Sequence, residues 1–167
     1  ERYDEGKIGF VNPYMESALK TIEKFEETDG LSPRKIDVEL DKAMYREIAD
    51  ALKGKNADKY VKEYFATTAD AINIGSLIRT ARIGAEYNFF EEGFVLGGEI
   101  PPETFRECGL DVDKLCKKIE RSKYKDLLPA IRENDLSAFE TAKDNYLLKI
   151  FSVNKADMFS VAPIVGY

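Results

Sequence analysis

The chain has 167 residues, 44% apolar and 34% charged, enough apolar material for one packed domain and too much for intrinsic disorder. It contains 0 histidines, which excludes nucleophiles that rely on an imidazole base, histidine-ligated zinc and Glu-x-x-His di-iron bundles. A net charge of −6 argues against a general nucleic-acid binder.

Helical periodicity runs through almost the whole chain. Asn12-Pro13 reads as an N-cap followed by proline at the first helical position, and Met15, Ala18, Leu19, Ile22 and Phe25 recur behind it until Asp29-Gly30 breaks the pattern. Ser32-Pro33 opens a second helix whose apolar stripe is Ile36, Leu40, Met44, Ile48 and Leu52, with Gly54 expected to close it. Asn56 is expected to cap a third and longest helix, continuing to Ile83 before Gly84. Residues 84–111 are rich in Gly and Pro and predict short helices joined by turns. Asp111 caps a helix with Val112, Leu115, Cys116 and Ile119 on one face. A short helical piece follows at 127–131, Ser137 is expected to cap the next helix, and Asp157 to open a last one. No segment shows convincing strand alternation, so the fold expected is all-α: a bundle of helical units around a long central helix.

Cys108 and Cys116 form no C-x-x-C motif and no disulfide framework; both read as small buried apolar residues of a protein from a reducing compartment. The charged opening, Glu1-Arg2-Tyr3-Asp4-Glu5, is no signal peptide. The longest uncharged run, 158–167, is about half of what a bilayer span needs, and a soluble protein is expected. The apolar, uncapped end of the chain suggests a fragment of something longer.

The long helix carries the sequence's chief anomaly. At 100° per residue, Ala66, Ile74, Leu77, Ile78 and Ala81 share one stripe, and Asp70 lies in its middle. Val61, Phe65, Ile72 and Ile83 lie opposite, so the helix is expected to be covered on two sides. A carboxylate on an apolar stripe is costly unless it is paired or hydrogen-bonded. Arg79, about 180° round the wheel, cannot be its partner within the helix, while Asn73 flanks the stripe. Asp70 is therefore either a catalytic or ion-carrying carboxylate, or one of three anchors (Asp70, Asn73, Arg79), each meeting a different neighbouring helix. The anchor reading is preferred, because catalysis requires a second convergent carboxylate or a base that the sequence does not single out.

Two further features stand out. Lys114, Lys117, Lys118 and Arg121 form one basic helix face, either a plain solvated face or a contact for an acidic partner or anionic headgroups. Leu96-Gly97-Gly98-Glu99 lacks the Gly-Lys-Ser/Thr of a phosphate loop and reads as a turn.

The series Asp70-x-x-Asn73-Ile74-x-x-x-Ile78-Arg79, followed by Gly97-Gly98, resembles a known family: the C subunit of the V/A-type rotary ATPases, equivalent to the d subunit of the eukaryotic vacuolar ATPase. Glu39 and Tyr45 on the preceding helix, echoed 101 residues later by Glu140 and Tyr146, add to the likeness, as does Pro163-Ile164-Val165-Gly166-Tyr167. The resemblance covers about 36–167. It implies a division into part of a preceding unit (1–34), a central unit (35–135) and the start of a third (136–167). It further implies a non-catalytic collar without cofactor or metal on the cytoplasmic face of the membrane rotor ring. Such a collar holds the central shaft, passes torque to it, and touches the membrane only through the complex. The rival readings are a cytosolic helical adaptor unrelated to ATPases, and a carboxylate-dependent enzyme with a deep cleft lined by at least two Asp or Glu residues.

Overall fold

Proline at the first helical position, with an oxygen-bearing side chain just before it, starts the two leading helices. In a computed structural model describing residues 12–28, 30–54 and 57–153, α1 spans Pro13–Thr28 and α2 Pro33–Ala51. Asn12 Oδ1 accepts from the Met15 N–H at 2.9 Å, and Ser32 Oγ from the Lys35 N–H at 3.3 Å. These helices pack as a hairpin, clasped by Asn12 to Glu47 at 2.6 Å and Tyr14 to Asp50 at 2.8 Å. The buried residues of α2 are Ala43 and Tyr45, while Met44 is 41% exposed, so the face toward the protein is displaced from the expected stripe. Gly54 does not close this helix: Leu52 is its C-cap, in a right-handed conformation.

Helix α3, Lys59–Ile83, is 25 residues, about 37 Å at 1.5 Å per residue. Its N-cap is Asp58, whose carboxylate accepts from the N–H groups of Tyr60 and Val61; the expected cap, Asn56, lies outside the described residues. Gly84 ends it in the left-handed conformation, as anticipated. Then come α4 (Tyr87–Glu92), α5 (Pro102–Cys108), α6 (Val112–Ile119), a 3-10 turn (Lys123–Leu127), α7 (Leu128–Arg132) and α8 (Leu136–Val153). Asp111 caps α6 as expected. Helix α8 is capped by Asp135, not Ser137; its Oδ1 receives the Ser137 N–H at 2.8 Å. The helix anticipated at Asp157 falls outside the described residues, among which there is no strand. The protein is all-α.

One core forms on one side of α3. Ile74, Leu77 and Ile78 are fully buried against Phe90, Phe105, Leu115, Ile119, Leu127, Ile131 and Phe139. The rings of Phe90, Phe94 and Phe105 meet with centroids 5.4–5.9 Å apart, which fixes α4 and α5 under α3. Helix α8 lies along α3, entering where Gly75 lets Phe139 come close. Both cysteines are buried, and burial pushes their thiols up. The second apolar face anticipated for α3 is not covered to match: Ile72 is 36% and Ile83 60% exposed. The core elements after α3 all pack on the Ile74 side, and no apolar layer among the described residues closes over the other.

The two faces of α3 therefore differ in what they hold up. Leu77→Ala should cost about 3 kcal/mol, from lost transfer energy and a residual cavity. Ile83→Ala should shift stability by less than about 0.5 kcal/mol. Chemical denaturation of both variants checks the contrast.

Candidate functional site

The site is built where the middle of α3 meets the turn at 95–100. Asp70 is fully buried, and so are Asn73 and Thr67 beside it, each at 1% exposure. The Asp70 carboxylate takes four contacts from three donors. The Glu99 N–H donates to Oδ2 at 2.8 Å, and the Ile100 N–H to Oδ1 at 3.1 Å and Oδ2 at 3.3 Å. The Tyr124 hydroxyl, from the 3-10 turn, donates to Oδ2 at 2.5 Å. One turn of helix on, the Asn73 amide reads both backbone groups of Val95: its Nδ2 donates to the carbonyl at 2.9 Å, and its Oδ1 accepts from the N–H at 3.0 Å.

The two glycines do different work in the same turn. Gly97 holds φ at +104°, a conformation side chains rarely adopt, and packs against Ala49 of α2. Gly98 lies over the carboxylate itself: a Cβ there would sit 2.0 Å from Asp70 Oδ1. No side chain fits between the turn and the carboxylate, so Gly98 is the condition for the backbone to reach Asp70. The turn is thus fixed from below by α3, from the side by α2 and from the far end by Tyr124.

Burial pushes the Asp70 carboxyl up, against the Tyr124 hydroxyl, the two N–H groups and the nearby Lys123 ammonium, which all favour the charged form. Tyr124 is pushed well above its ordinary value by burial first and by the adjacent Asp70 second. Lys123 closes the edge, pairing with Glu99 at 2.8 Å. Asp70 is sealed, and its lone pairs are engaged by donors from the protein; no base or nucleophile adjoins it. The arrangement suits holding two segments together, not proton transfer to a ligand.

Arg79 stands apart. It is exposed and makes no hydrogen bond or ion pair among the described residues, so the expectation of a third internal anchor is corrected. The cause is its position about 180° from Asp70 on the helix. It lines a groove of about 470 Å³ between α2, α3 and α8, together with Asp37, Asp41, Ile72, Glu140 and Lys143. Asp37 and Asp41 are exposed there, making this a surface groove with carboxylates on its wall and separate from Asp70. On α6, Lys114, Lys117, Lys118 and Arg121 are all exposed. Lys114 donates to the Glu107 carbonyl and Lys118 pairs with the Glu107 carboxylate, so half of that basic face is already engaged within the protein. Among the described residues no group of three or more His, Cys, Asp or Glu is placed to hold a metal ion. No described helix is long and apolar enough to cross a membrane.

Sequence reasoning located Asp70, Asn73 and the two glycines but missed Tyr124 and the backbone of Val95, Glu99 and Ile100. Main-chain partners have no side-chain signature, and Tyr124 lies in a charged stretch, Lys123-Tyr124-Lys125-Asp126, that reads as surface.

The network makes two expected outcomes. Gly98→Ala should lower stability by about 3 kcal/mol through overpacking, roughly 10 °C in melting temperature for a domain of this size. Asp70→Ala should cost a similar amount by leaving buried donors unpaired. The double variant should be much less unstable than the sum, because removing the carboxylate opens space for the methyl. Tyr124 supplies the second outcome. Its raised value means folded and unfolded chains both hold the proton below pH 10, and above it the unfolded chain releases the proton first. Stability therefore falls as pH rises beyond about 10. Tyr124→Phe should lose about 1 kcal/mol at neutral pH, yet show a smaller drop in melting temperature between roughly pH 9 and pH 11.

Most of the chain is also similar to known proteins. The model of the ATP synthase (C/AC39) subunit family matches residues 9–167. The chain is 30% identical over 152 residues to the C subunit of the A-type ATP synthase of Haloferax volcanii, covering 87% of this chain and 43% of that protein. It is 26% identical over 140 residues to the C subunit of the A-type ATP synthase of Thermoplasma volcanium, covering 81% of this chain and 39% of the relative. It thus spans about two-fifths of the length of these relatives. No solved structure gives a significant match. A match across nearly all of the chain leaves no room for an adaptor unrelated to ATPases: the chain belongs to the ATP synthase (C/AC39) subunit family.

Proposed function

We propose that the chain is part of a non-catalytic central-stalk subunit of a V/A-type ATP synthase, a rotor collar that links the central shaft to the membrane rotor ring and transmits torque. The observation that carries this reading is the family match over residues 9–167. Torque transmission asks for stiffness and large complementary surfaces and makes no use of reactive groups. A long helix with one dense core, and a buried carboxylate committed to backbone donors, supply stiffness of that kind. The collar works without cofactor, metal, small-molecule substrate or nucleic acid. It sits on the cytoplasmic side and meets the membrane only through the complex. In it, residues 1–34, 35–135 and 136–167 belong to three successive helical units, and Asp70, Asn73, Gly97 and Gly98 are the structural residues of the central one. Arg79, and the basic face at Lys114, Lys117, Lys118 and Arg121, remain for contacts with other subunits.

Affinity-tagged full-length protein should carry the shaft and ring subunits through purification from its own cells. Recovery without either, under conditions that keep the ATP synthase intact, contradicts the reading.

A further inference from the structure

Of the polar residues in the Asp70/Asn73/Arg79 series, two are spent inside the protein, and Arg79 faces outward with no partner among the described residues. It sits on the floor of an open groove whose walls are α2 and α8. The charges in that groove are not uniformly free. Arg34 stacks on Phe89 with its Cζ 3.5 Å from the ring centroid and pairs with Glu92 at 3.1 Å. Lys143 pairs with Glu140. The charges left without such pairs among the described residues are Arg79 on α3 and Asp37 and Asp41 on α2. Asp41 is pushed up, by partial burial first and by its neighbour Asp37 second, so the α2 wall is a locus of uncompensated negative charge. On the floor Ile72 offers an apolar patch to the same opening.

This pattern specifies an occupant. A floor formed by one helix and walls formed by two others make a trough, and a rod of helical cross-section can lie in it with an apolar seam on Ile72. Basic residues along one edge of that rod would meet Asp37 and Asp41, and a carboxylate would meet Arg79. We propose that this groove is a docking surface for an amphipathic helix of a partner chain with that charge arrangement, Arg79 being its ion-pairing residue. The proposal rests on the reading of the chain as part of the stalk, which makes a helix of the central shaft the partner.

The test uses the full-length protein and purified shaft subunits of the same ATP synthase, with affinity measured by calorimetry at low and physiological salt. Arg79→Glu and the pair Asp37→Lys/Asp41→Lys replace exposed side chains, and unchanged melting temperatures should confirm intact folding. If the wild type binds, both variants should bind at least tenfold more weakly, with the wild-type advantage shrinking as salt rises. Ile72→Gln, neutral in charge, should weaken binding without altering its salt dependence. Wild-type binding with all three variants within twofold overturns the docking surface and leaves the stalk reading in place. Failure of the wild type to bind the shaft overturns the stalk contact itself, and the docking surface with it.

Discussion

The capture of one glycine turn by one buried carboxylate organises the rest of the molecule. Asp70 is placed in the middle of the apolar stripe of α3, where an unpartnered charge would cost several kcal/mol. Two backbone N–H groups and a tyrosine hydroxyl converge on it, and hydrogen bonds to a charged group are each worth about 1.5–3 kcal/mol. The gains and the desolvation cost are similar in size, so the network adds little net stability in itself. What it adds is position: the turn can lie over α3 in one way only, because any shift leaves buried donors and a buried charge unmatched. Asn73 repeats the device one helical turn on, and Gly98 makes it sterically attainable.

From this fixed point the packing follows. The turn at 95–100 delivers the chain into α5, whose Phe105 meets Phe90 and Phe94. Tyr124, held at the carboxylate, sets the 3-10 turn beside α8, where Tyr146 donates to the Lys123 carbonyl at 3.2 Å. The Gly97 contact with Ala49 joins the turn to α2. One polar cluster thereby sets the relative placement of α2, α3, α5 and α8, which apolar contacts alone, being non-directional, would leave free to slide.

Much of this architecture was legible from residues alone. Helical spacing and caps at Asn12, Ser32, Asp111 and Gly84 gave the element order, and the misplaced carboxylate drew attention to Asp70. The misses have physical causes. Asn56, Gly54 and Ser137 are good end residues, but so are their neighbours Asp58 and Asp135, and local propensity cannot choose between adjacent oxygens. The stripe through Met44 failed because a helix in a hairpin with α1 and beside α3 turns its buried face toward both. The apolar residues opposite Asp70 implied burial on two sides, whereas Ile72 and Ile83 remain exposed; apolar periodicity marks a face without naming what covers it. The partners of Asp70 were invisible because two are main-chain groups. Family likeness, carried by Asp70, Asn73, Arg79 and the glycine pair, agreed with the match across 9–167, while the helix explains why those residues differ in role: two point inward and one outward.

Amide hydrogen exchange at Glu99 and Ile100 tests the central claim most directly. If Asp70 holds the turn, both amides are protected nearly as strongly as the core of α3 in the wild type, and in Asp70→Ala they lose that protection by far more than the amides of α6. Rapid exchange of both amides in the wild type, or protection that persists without the carboxylate, would contradict it.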